Sequence, residues 1–280
     1  MSLFWIPWIL EFLDPWIPGT LMGYVLAVTT LWRREIVRFL RQRNRIVGAL
    51  GTPLVFWLLI GSGLGSSFRS SGFPGGERYL EYSFPGTLAL ILLFTSIFST
   101  ISIIEDRQTG FLQSVLVAPV RRSAITLGKV LGSSSLALVQ ALIFLTLAPT
   151  VGIGLTPGKV VLLCGILFLI AFELSAIGYF IAWKMDSTQG FHAIMNLFLM
   201  PMWLLSGSFF PASGAPAWLR WLVHANPLTY GIAAVRRALY LGHVQSAPDL
   251  PPFGLCLTVT ALFAALAFAA ATLVASQPAR

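Results

Sequence analysis

The chain has 280 residues, of which 56% are hydrophobic and only 10% are charged, and its mean hydropathy is +0.82. An average soluble domain carries about 25% charged residues, so 18 basic and 10 acidic side chains are too few to cover a globular surface of this size. The composition is therefore not that of a soluble enzyme, and its hydrophobicity excludes a disordered chain. It predicts a polytopic membrane protein, in which 9 Trp and 21 Phe suit lipid contact and interfacial belts.

The N-terminal segment is apolar but lacks the basic region that begins a signal peptide. Helix-breaking residues interrupt it at Pro7, Asp14, Pro15 and Pro18. Its tryptophans suit a membrane–water interface, so we expect an interfacial anchor up to about Met22. A spanning helix over residues 16–32 is the alternative.

Residues 31–45 follow an amphipathic pattern of period 3.6. The apolar face carries Trp32, Ile36, Phe39 and Leu40. The opposite face carries Arg34, Arg38, Arg41 and Arg45. This pattern predicts a helix in the membrane interface with its arginines toward anionic headgroups, and a docking role for a partner protein is possible in addition.

Six apolar stretches are long enough to cross a bilayer, which takes about 20 helical residues. They run from about Ile46 to Gly65, Tyr82 to Ile104, Ile125 to Val151, Lys159 to Trp183, Phe191 to Phe210 and Phe253 to Ala275. The expected division is an N-terminal region over 1–45 and a six-helix membrane domain over 46–280.

The basic residues predict the orientation, because cytoplasmic segments are enriched in Lys and Arg. With the N-terminus inside, the inner segments hold twelve basic residues: Arg33, Arg34, Arg38, Arg41, Arg43, Arg45, Arg107, Arg121, Arg122, Lys129, Lys184 and Arg280. The outer segments hold six: Arg69, Arg78, Lys159, Arg220, Arg236 and Arg237. This bias predicts that both termini are cytoplasmic.

The sequence lacks the motifs of several enzyme classes. Two strings, at Gly128-Lys129 and Gly158-Lys159, approach a phosphate-binding loop but lack its preceding glycine and its following Ser or Thr. Zinc-protease and serine-hydrolase motifs are also missing. Cys164 and Cys256 lie in apolar runs without metal-ligand spacing, which is typical of small buried hydrophobic residues. We therefore expect no nucleotide hydrolysis by this route and no cofactor bound by the chain itself.

A charged loop of residues 105–124 follows the second span. Glu105, Asp106 and Arg107 mark the end of that span, and Gly110 permits a turn. An apolar face at helical spacing then carries Phe111, Leu112, Val115 and Leu116, before Pro119, Arg121 and Arg122. The pattern predicts a short helix on the membrane surface, either a plain connector or a face that fits a groove on another protein.

The segment after the fifth span, residues 211–240, should form a re-entrant or interfacial cap on the outer side. Helix-breaking or capping residues frame it: Ser206, Gly207, Pro211, Pro216, Asn226 and Pro227, with Tyr230 just after them. Trp218 and Trp221 suit the interface.

A few polar and small residues lie within the spans. Glu173 should face the bundle or a cavity, with either a structural role, such as a hydrogen bond to a neighbouring Ser or Thr, or a contact with substrate or proton. His192 and Asn196 share a helical face and should make interhelical hydrogen bonds. Gly128 and Gly132 would let the third span approach another helix closely, within the chain or in a dimer.

The motif from Glu105-Asp106-Arg107 to Gly110, running on to Ala118-Pro119 and Leu127-Gly128-Lys129, resembles the loop of ABC-2-type transporter permeases. The stretch from Ser206-Gly207 to Pro211, followed by the segment Asn226 to Tyr230, resembles that family too. The branch it looks most like is that of drug-resistance and nodulation-factor exporters, and the resemblance covers roughly residues 30–275.

The resemblance implies an all-α membrane permease with six transmembrane helices after an interfacial helix, as in type V exporters. It also implies a homodimer in the plasma membrane, and separate ATPase subunits that bind ATP and Mg and contact the 105–124 loop. An amphipathic drug, a lipid or a lipid-linked oligosaccharide is the expected cargo. Two alternatives remain: an ion-coupled secondary transporter that uses Glu173, and a membrane anchor that transports nothing.

Overall fold

The structure, a computed structural model, describes residues 21–64, 79–208, 216–241 and 250–277. The expected N-terminal anchor and Pro211 lie outside these residues. The described helices, in chain order, are α1 Leu21–Arg41, α2 Arg43–Leu64, α3 Tyr79–Thr100, α4 Ser102–Gln108, α5 Phe111–Val117, α6 Arg122–Leu145, α7 Pro157–Trp183, α8 Thr188–Trp203, α9 Ala217–Ala225, α10 Pro227–Leu239 and α11 Phe253–Ser276.

Six of the described helical segments are long and apolar enough to cross a membrane, as predicted. They comprise α2, α3 with α4, α6, α7, α8 with its last turn, and α11. The third predicted span was too long, because α6 ends at Leu145 and a 3₁₀ turn containing Pro149 follows. The fifth span changes near its end into a π-helical turn, Leu204–Ser208, where Gly207 has a positive φ.

The helix α3 lies at the centre of the bundle. In its apolar window 89% of the residues are buried, against 22% in α2 and in α11. It packs against α2, α6 and α7. Short polar side chains join it to its neighbours: Thr95 donates to Gln140 at 2.7 Å and Ser175 donates to Ser96 at 3.1 Å. Such bonds satisfy polar groups within an apolar bundle.

The amphipathic helix exists, but it is longer than predicted and packs along α6. It begins at Leu21, ends at Arg41 and buries a stripe of Val28, Leu31, Glu35 and Phe39. Among the described residues, α1 is not one of the helices that are long and apolar enough to cross a membrane. The described part of residues 16–32 therefore gives no support to the alternative of a spanning helix there.

Glycines on α6 allow the close approach of α1. A Cβ on Gly128 would lie 2.9 Å from the carbonyl oxygen of Val28, and one on Gly132 would lie 2.7 Å from the Cβ of Glu35. The two glycines thus serve packing within the chain. The sequence had left open whether they allow close packing within the chain or in a dimer.

The predicted outer cap consists of two short helices with different surroundings. Trp218 and Trp221 on α9 are 67% and 70% exposed, as expected of an interfacial helix. The helix α10 is largely buried. Asn226 caps it by accepting a hydrogen bond from the Leu228 amide at 3.1 Å.

Arg236 on α10 was counted among the basic residues of the outer segments, and the structure turns its side chain into the protein. Its side chain is buried and lies over the ring of Tyr82, with 4.3 Å between the guanidinium carbon and the ring centre. It donates to the carbonyl oxygens of Tyr82 and Gly207 at 3.3 and 3.4 Å. Backbone carbonyls replace the water that the guanidinium would otherwise require.

Candidate functional site

The predicted coupling segment forms two short helices at the end of the bundle where most basic residues lie. Gly110 adopts φ +77° between α4 and α5, a conformation that a side chain with a Cβ disfavours. Leu112 is buried and fixes α5 on the bundle, while Pro119 follows the end of α5 and is exposed. This turn ends α4 and begins α5, so that the two do not form one continuous helix.

Asp106 is the centre of a group of ion pairs at this end. Its side chain is 1% exposed, and it accepts hydrogen bonds from Arg34 at 2.7 and 2.9 Å and from Lys129 at 2.6 Å. Arg38 bonds to the same carboxylate. Three helices, α1, α4 and α6, therefore meet at one carboxylate through charge-assisted hydrogen bonds, which are about twice as strong as neutral ones.

A second carboxylate, Glu35, shares Lys129 with Asp106. The Nζ atom of Lys129 lies 2.8 Å from Glu35 Oε1, and both side chains are 3% exposed. Ser102 donates to the other oxygen of Glu35 at 2.7 Å. Sequence reasoning missed Glu35 and Lys129 as site residues. It named Lys129 as a basic residue of an inner segment and as part of the family motif, but gave it no partner, and it did not single out Glu35.

Glu105 completes what we call the basic-end cluster. It accepts a hydrogen bond from Arg38 at 2.6 Å and another from Arg45. The members of the cluster are Arg34, Glu35, Arg38, Arg45, Glu105, Asp106 and Lys129.

The predicted orientation of the interfacial arginines was therefore wrong for Arg34, Arg38 and Arg45, whose guanidinium groups bind protein carboxylates. Burial alone would lower the pKa of Arg38, but the charges of Asp106, Glu35 and Glu105 and a hydrogen bond to Asp106 hold that pKa above its ordinary value. A buried carboxylate without a cation is costly, which explains why these guanidiniums turn inward. Arg41 alone of the four predicted arginines is exposed, with no carboxylate within 4 Å in the described part of the chain.

Arg107 joins the coupling segment to the connection between α7 and α8. It donates to the carbonyl oxygens of Trp183 and Met185, and its contact with Asp186 is 3.1 Å. The guanidinium carbon of Arg34 lies 3.6 Å from the ring centre of Phe111, which ties α1 to α5 as well.

Arg121 and Arg122 stand at the start of α6. Arg121 is exposed and Arg122 is half-buried, and neither reaches a carboxylate of the described residues. They lie outside the basic-end cluster.

The free face of α5 points away from the bundle. Val117 is 86% exposed, and Gln113 and Ser114 are exposed beside it. One side of α5 is thus held by the protein while the other side is open to a partner. Among the described residues no group of His, Cys, Asp or Glu side chains could hold a metal ion.

Glu173 is fully buried on α7. Neither of its carboxylate oxygens has a hydrogen-bond partner among the described residues, so the expected bond to a neighbouring Ser or Thr is absent there.

His192 and Asn196 on α8 make no interhelical hydrogen bond within the described chain. His192 instead contacts the ring of Phe98 edge-on, with 6.0 Å between ring centres. Asn196 is exposed on the outside of the bundle.

The opposite end of the bundle is closed around the π-helical turn that follows α8. Trp203 donates to the carbonyl oxygen of Gly86 at 2.8 Å, and Ser206 and Ser208 bond to each other at 2.6 Å. A Cβ on Gly86 would lie 2.6 Å from the Cβ of Ser208. The helices α3 and α8 are therefore in close contact here.

The capping residues of α10 hold the adjoining α9 to this end. Asn226 donates to the carbonyl oxygen of Met202 at 2.6 Å, and Pro227 occupies the first turn of α10. Tyr230 donates to the carbonyl oxygen of His224 on α9 at 3.0 Å.

Comparison with known proteins agrees with this architecture. Nodulation protein J of Sinorhizobium fredii is 27% identical over 243 residues, which cover 85% of this chain and 88% of the relative. A putative transport permease, ycf38, of Cyanophora paradoxa is 26% identical over 76% of this chain and 74% of its own length. The daunorubicin resistance ABC transporter permease protein DrrB1 of Streptomyces coeruleorubidus is 24% identical over 80% of this chain and 78% of its own.

The family model described as ABC-2 type transporter matches residues 27–240, from α1 to the end of α10. This range includes the basic-end cluster, the coupling segment and the closed opposite end. The chain therefore belongs to the ABC-2 type transporter family of membrane permeases.

Proposed function

We propose that the chain is the permease subunit of an exporter driven by a separate ATPase, which docks on α5. The observation that carries the proposal is that α5 has an open outer face while Arg34, a member of the basic-end cluster, lies over the ring of Phe111 on α5. The same cluster joins α1, α4 and α6 to one another. A surface helix that served only as a connector would not require buried charges on three other elements.

The proposed mechanism is mechanical. Closure of two ATPase subunits on nucleotide would displace α5, and the ion pairs of Asp106 would carry that displacement to α1 and α6. Arg107 would carry it to the connection between α7 and α8. Because packed helices have discrete alternative arrangements, the spans would rock and open the closed end around Gly86. ATP and Mg would bind to the partner chain.

The relatives guide the choice of cargo. Two of them are named for nodulation and for daunorubicin resistance, and we propose an amphipathic drug, a lipid or a lipid-linked oligosaccharide as the substrate class here. We further propose a homodimer in the plasma membrane with both termini in the cytoplasm, which the distribution of basic residues favours.

The first test is co-purification of the tagged chain from its native membranes with the proteins bound to it, identified by mass spectrometry. We expect a stoichiometric ATPase to co-purify with the wild-type chain. The ATPase should be lost from the Val117→Asp variant, because a carboxylate on the open face of α5 would disturb an apolar contact. Leu241→Asp, at an exposed site near the opposite end, is the matched control and should retain the ATPase. Absence of an ATPase from intact wild-type chain would contradict the proposal.

Glu173 supports a second candidate, an ion-coupled secondary transporter. Its carboxylate is fully buried and has no hydrogen-bond partner among the described residues, as expected of a group that takes up a proton. Transport in proteoliposomes with an imposed pH gradient and without ATPase would support this candidate, provided that Glu173→Gln abolishes it. Transport that requires the ATPase and survives Glu173→Gln would exclude it.

A further inference from the structure

The break between α1 and α2 forms an open groove of about 430 Å³, lined by Arg41, Gln42, Arg43, Asn44 and Arg45. We call it the elbow groove. Arg45 is already paired with Glu105. Arg41 and Arg43 are exposed and have no carboxylate within 4 Å in the described part of the chain. The groove therefore carries two positive charges that no carboxylate of the described residues neutralises.

A second feature of the groove is an unsatisfied acceptor. The side-chain Oε1 of Gln42 is buried and has no hydrogen-bond partner among the described residues. A buried polar atom without a partner is uncommon in proteins and is often satisfied by a ligand or an ordered water. A suitable ligand would bring both an anion for the arginines and a hydrogen-bond donor for Gln42.

The surroundings of the groove indicate lipid as the source of that ligand. Leu40, immediately before it, is 58% exposed, and Val47, just after it, is 69% exposed. Apolar side chains on both flanks suit acyl chains, and the polar groove between them then lies at the depth of the headgroups. An acidic protein surface would leave Leu40 and Val47 in water.

We propose that the elbow groove binds the headgroup of an anionic glycerophospholipid. Its phosphate would bind Arg41 and Arg43, since guanidinium groups match phosphate oxygens in bidentate geometry. A hydroxyl of its headgroup would donate to Gln42 after that side chain turns into the groove, because its Oε1 atom is buried in the present conformation. Because Arg45 lines the groove and also pairs with Glu105, the bound lipid would lie directly beside the basic-end cluster. This inference does not depend on the ATPase or on the cargo.

The test is a lipid titration of the delipidated full chain in detergent, read by native mass spectrometry. The probes are dioleoyl phosphatidylglycerol and, as the neutral control, dioleoyl phosphatidylcholine. For the double variant Arg41→Gln/Arg43→Gln, we expect phosphatidylglycerol affinity to fall about fivefold for each lost charge, hence about 25-fold in all. Binding of phosphatidylcholine should not change.

A matched control removes two other exposed arginines that lack a carboxylate partner, through Arg33→Gln/Arg121→Gln. It should keep the wild-type affinity, and Arg41→Lys/Arg43→Lys should keep most of it because the charges remain. An equal loss in the elbow variant and the control would overturn the proposal, since it would indicate a non-specific effect of net charge.

Two further results would also overturn the proposal, each by pointing to another occupant. Inorganic phosphate that displaces phosphatidylglycerol at equal phosphate concentration would identify a free-anion site. Unchanged lipid binding in the elbow variant, together with loss of a co-purifying protein, would identify a protein-docking surface. Retention time in size-exclusion chromatography confirms that each variant is folded.

Discussion

Replacement of Lys129 by Met tests whether the basic-end cluster holds α1 on the bundle. The Nζ atom of Lys129 lies 2.8 Å from Glu35 and 2.6 Å from Asp106, and its side chain is 3% exposed. Met fills a similar volume but leaves both carboxylates without this cation. Removing one partner of a buried ion pair costs about 3–5 kcal/mol.

The remaining partners determine where in that range the cost should fall. Asp106 keeps two arginines, whereas Glu35 keeps only Arg34 at 3.2 Å and the hydroxyl of Ser102 at 2.7 Å. Arg34 is 30% exposed, so it screens Glu35 less well than a buried cation would. We therefore expect Lys129→Met to lower the free energy of unfolding by about 3 kcal/mol.

The assay is equilibrium unfolding of the purified chain in mixed micelles of dodecyl maltoside and SDS, run as a double-mutant cycle with Glu35→Leu. The double variant Lys129→Met/Glu35→Leu removes both charges. Its loss of unfolding free energy should therefore be about 2 kcal/mol smaller than the sum of the losses in the two single variants. Arg33→Met, at an exposed site of α1 without a carboxylate partner among the described residues, is the control and should change the free energy by less than about 0.5 kcal/mol. A loss below about 1 kcal/mol for Lys129→Met, or single losses that simply add, would refute the reasoning.

Three further predictions concern glycines at close contacts and turns. Gly132→Leu should lower the free energy of unfolding by about 2 kcal/mol, because its Cβ would lie 2.7 Å from the Cβ of Glu35; Gly165→Leu, where the space is open, should not destabilise the same chain in the same assay. Gly110→Val should cost about 1–3 kcal/mol because φ is +77°, and it should reduce coupled transport with membrane insertion intact; normal transport would exclude this turn from coupling. Gly86→Ala should separate α3 from the π-helical turn and speed hydrogen exchange of that turn's amides, and unchanged exchange would show that the two segments are not held in contact.

The spans were predictable because a long apolar segment can adopt few backbone structures in lipid. All of its backbone polar groups must be satisfied within the segment, and a helix does this. The error lies at the end of the third span, where α6 is followed by the 3₁₀ turn Ala148–Val151. Ala148 and Val151 keep this turn partly apolar, so hydropathy alone does not reveal the change in backbone.

Glu35 and Lys129 were not predicted as site residues, although the sequence contains a signal for Glu35. Glu35 interrupts the stripe of Val28, Leu31 and Phe39 that α1 buries. An acidic residue on an apolar stripe requires a cation on the surface that it contacts. Lys129 follows Gly128 on the helix that α1 approaches, but pairing it with Glu35 requires knowing that these two helices are neighbours.

The arginines of α1 show another limit of prediction from the sequence. Their period identifies one face of a helix, and both lipid phosphates and protein carboxylates would attract that face. Burial decides between the phosphates and the carboxylates. Asp106 is 1% exposed, and leaving its buried carboxylate without a cation would cost far more free energy than leaving a hydrated lipid headgroup without one. Arg34 and Arg38 are therefore directed to the carboxylates of α4. Arg41 at the end of α1 and Arg43 at the start of α2 pair with no carboxylate of the described residues and remain for the membrane. One run of basic residues thus divides into an inner part that fixes α1 to the coupling segment and an outer part that is free to bind lipid.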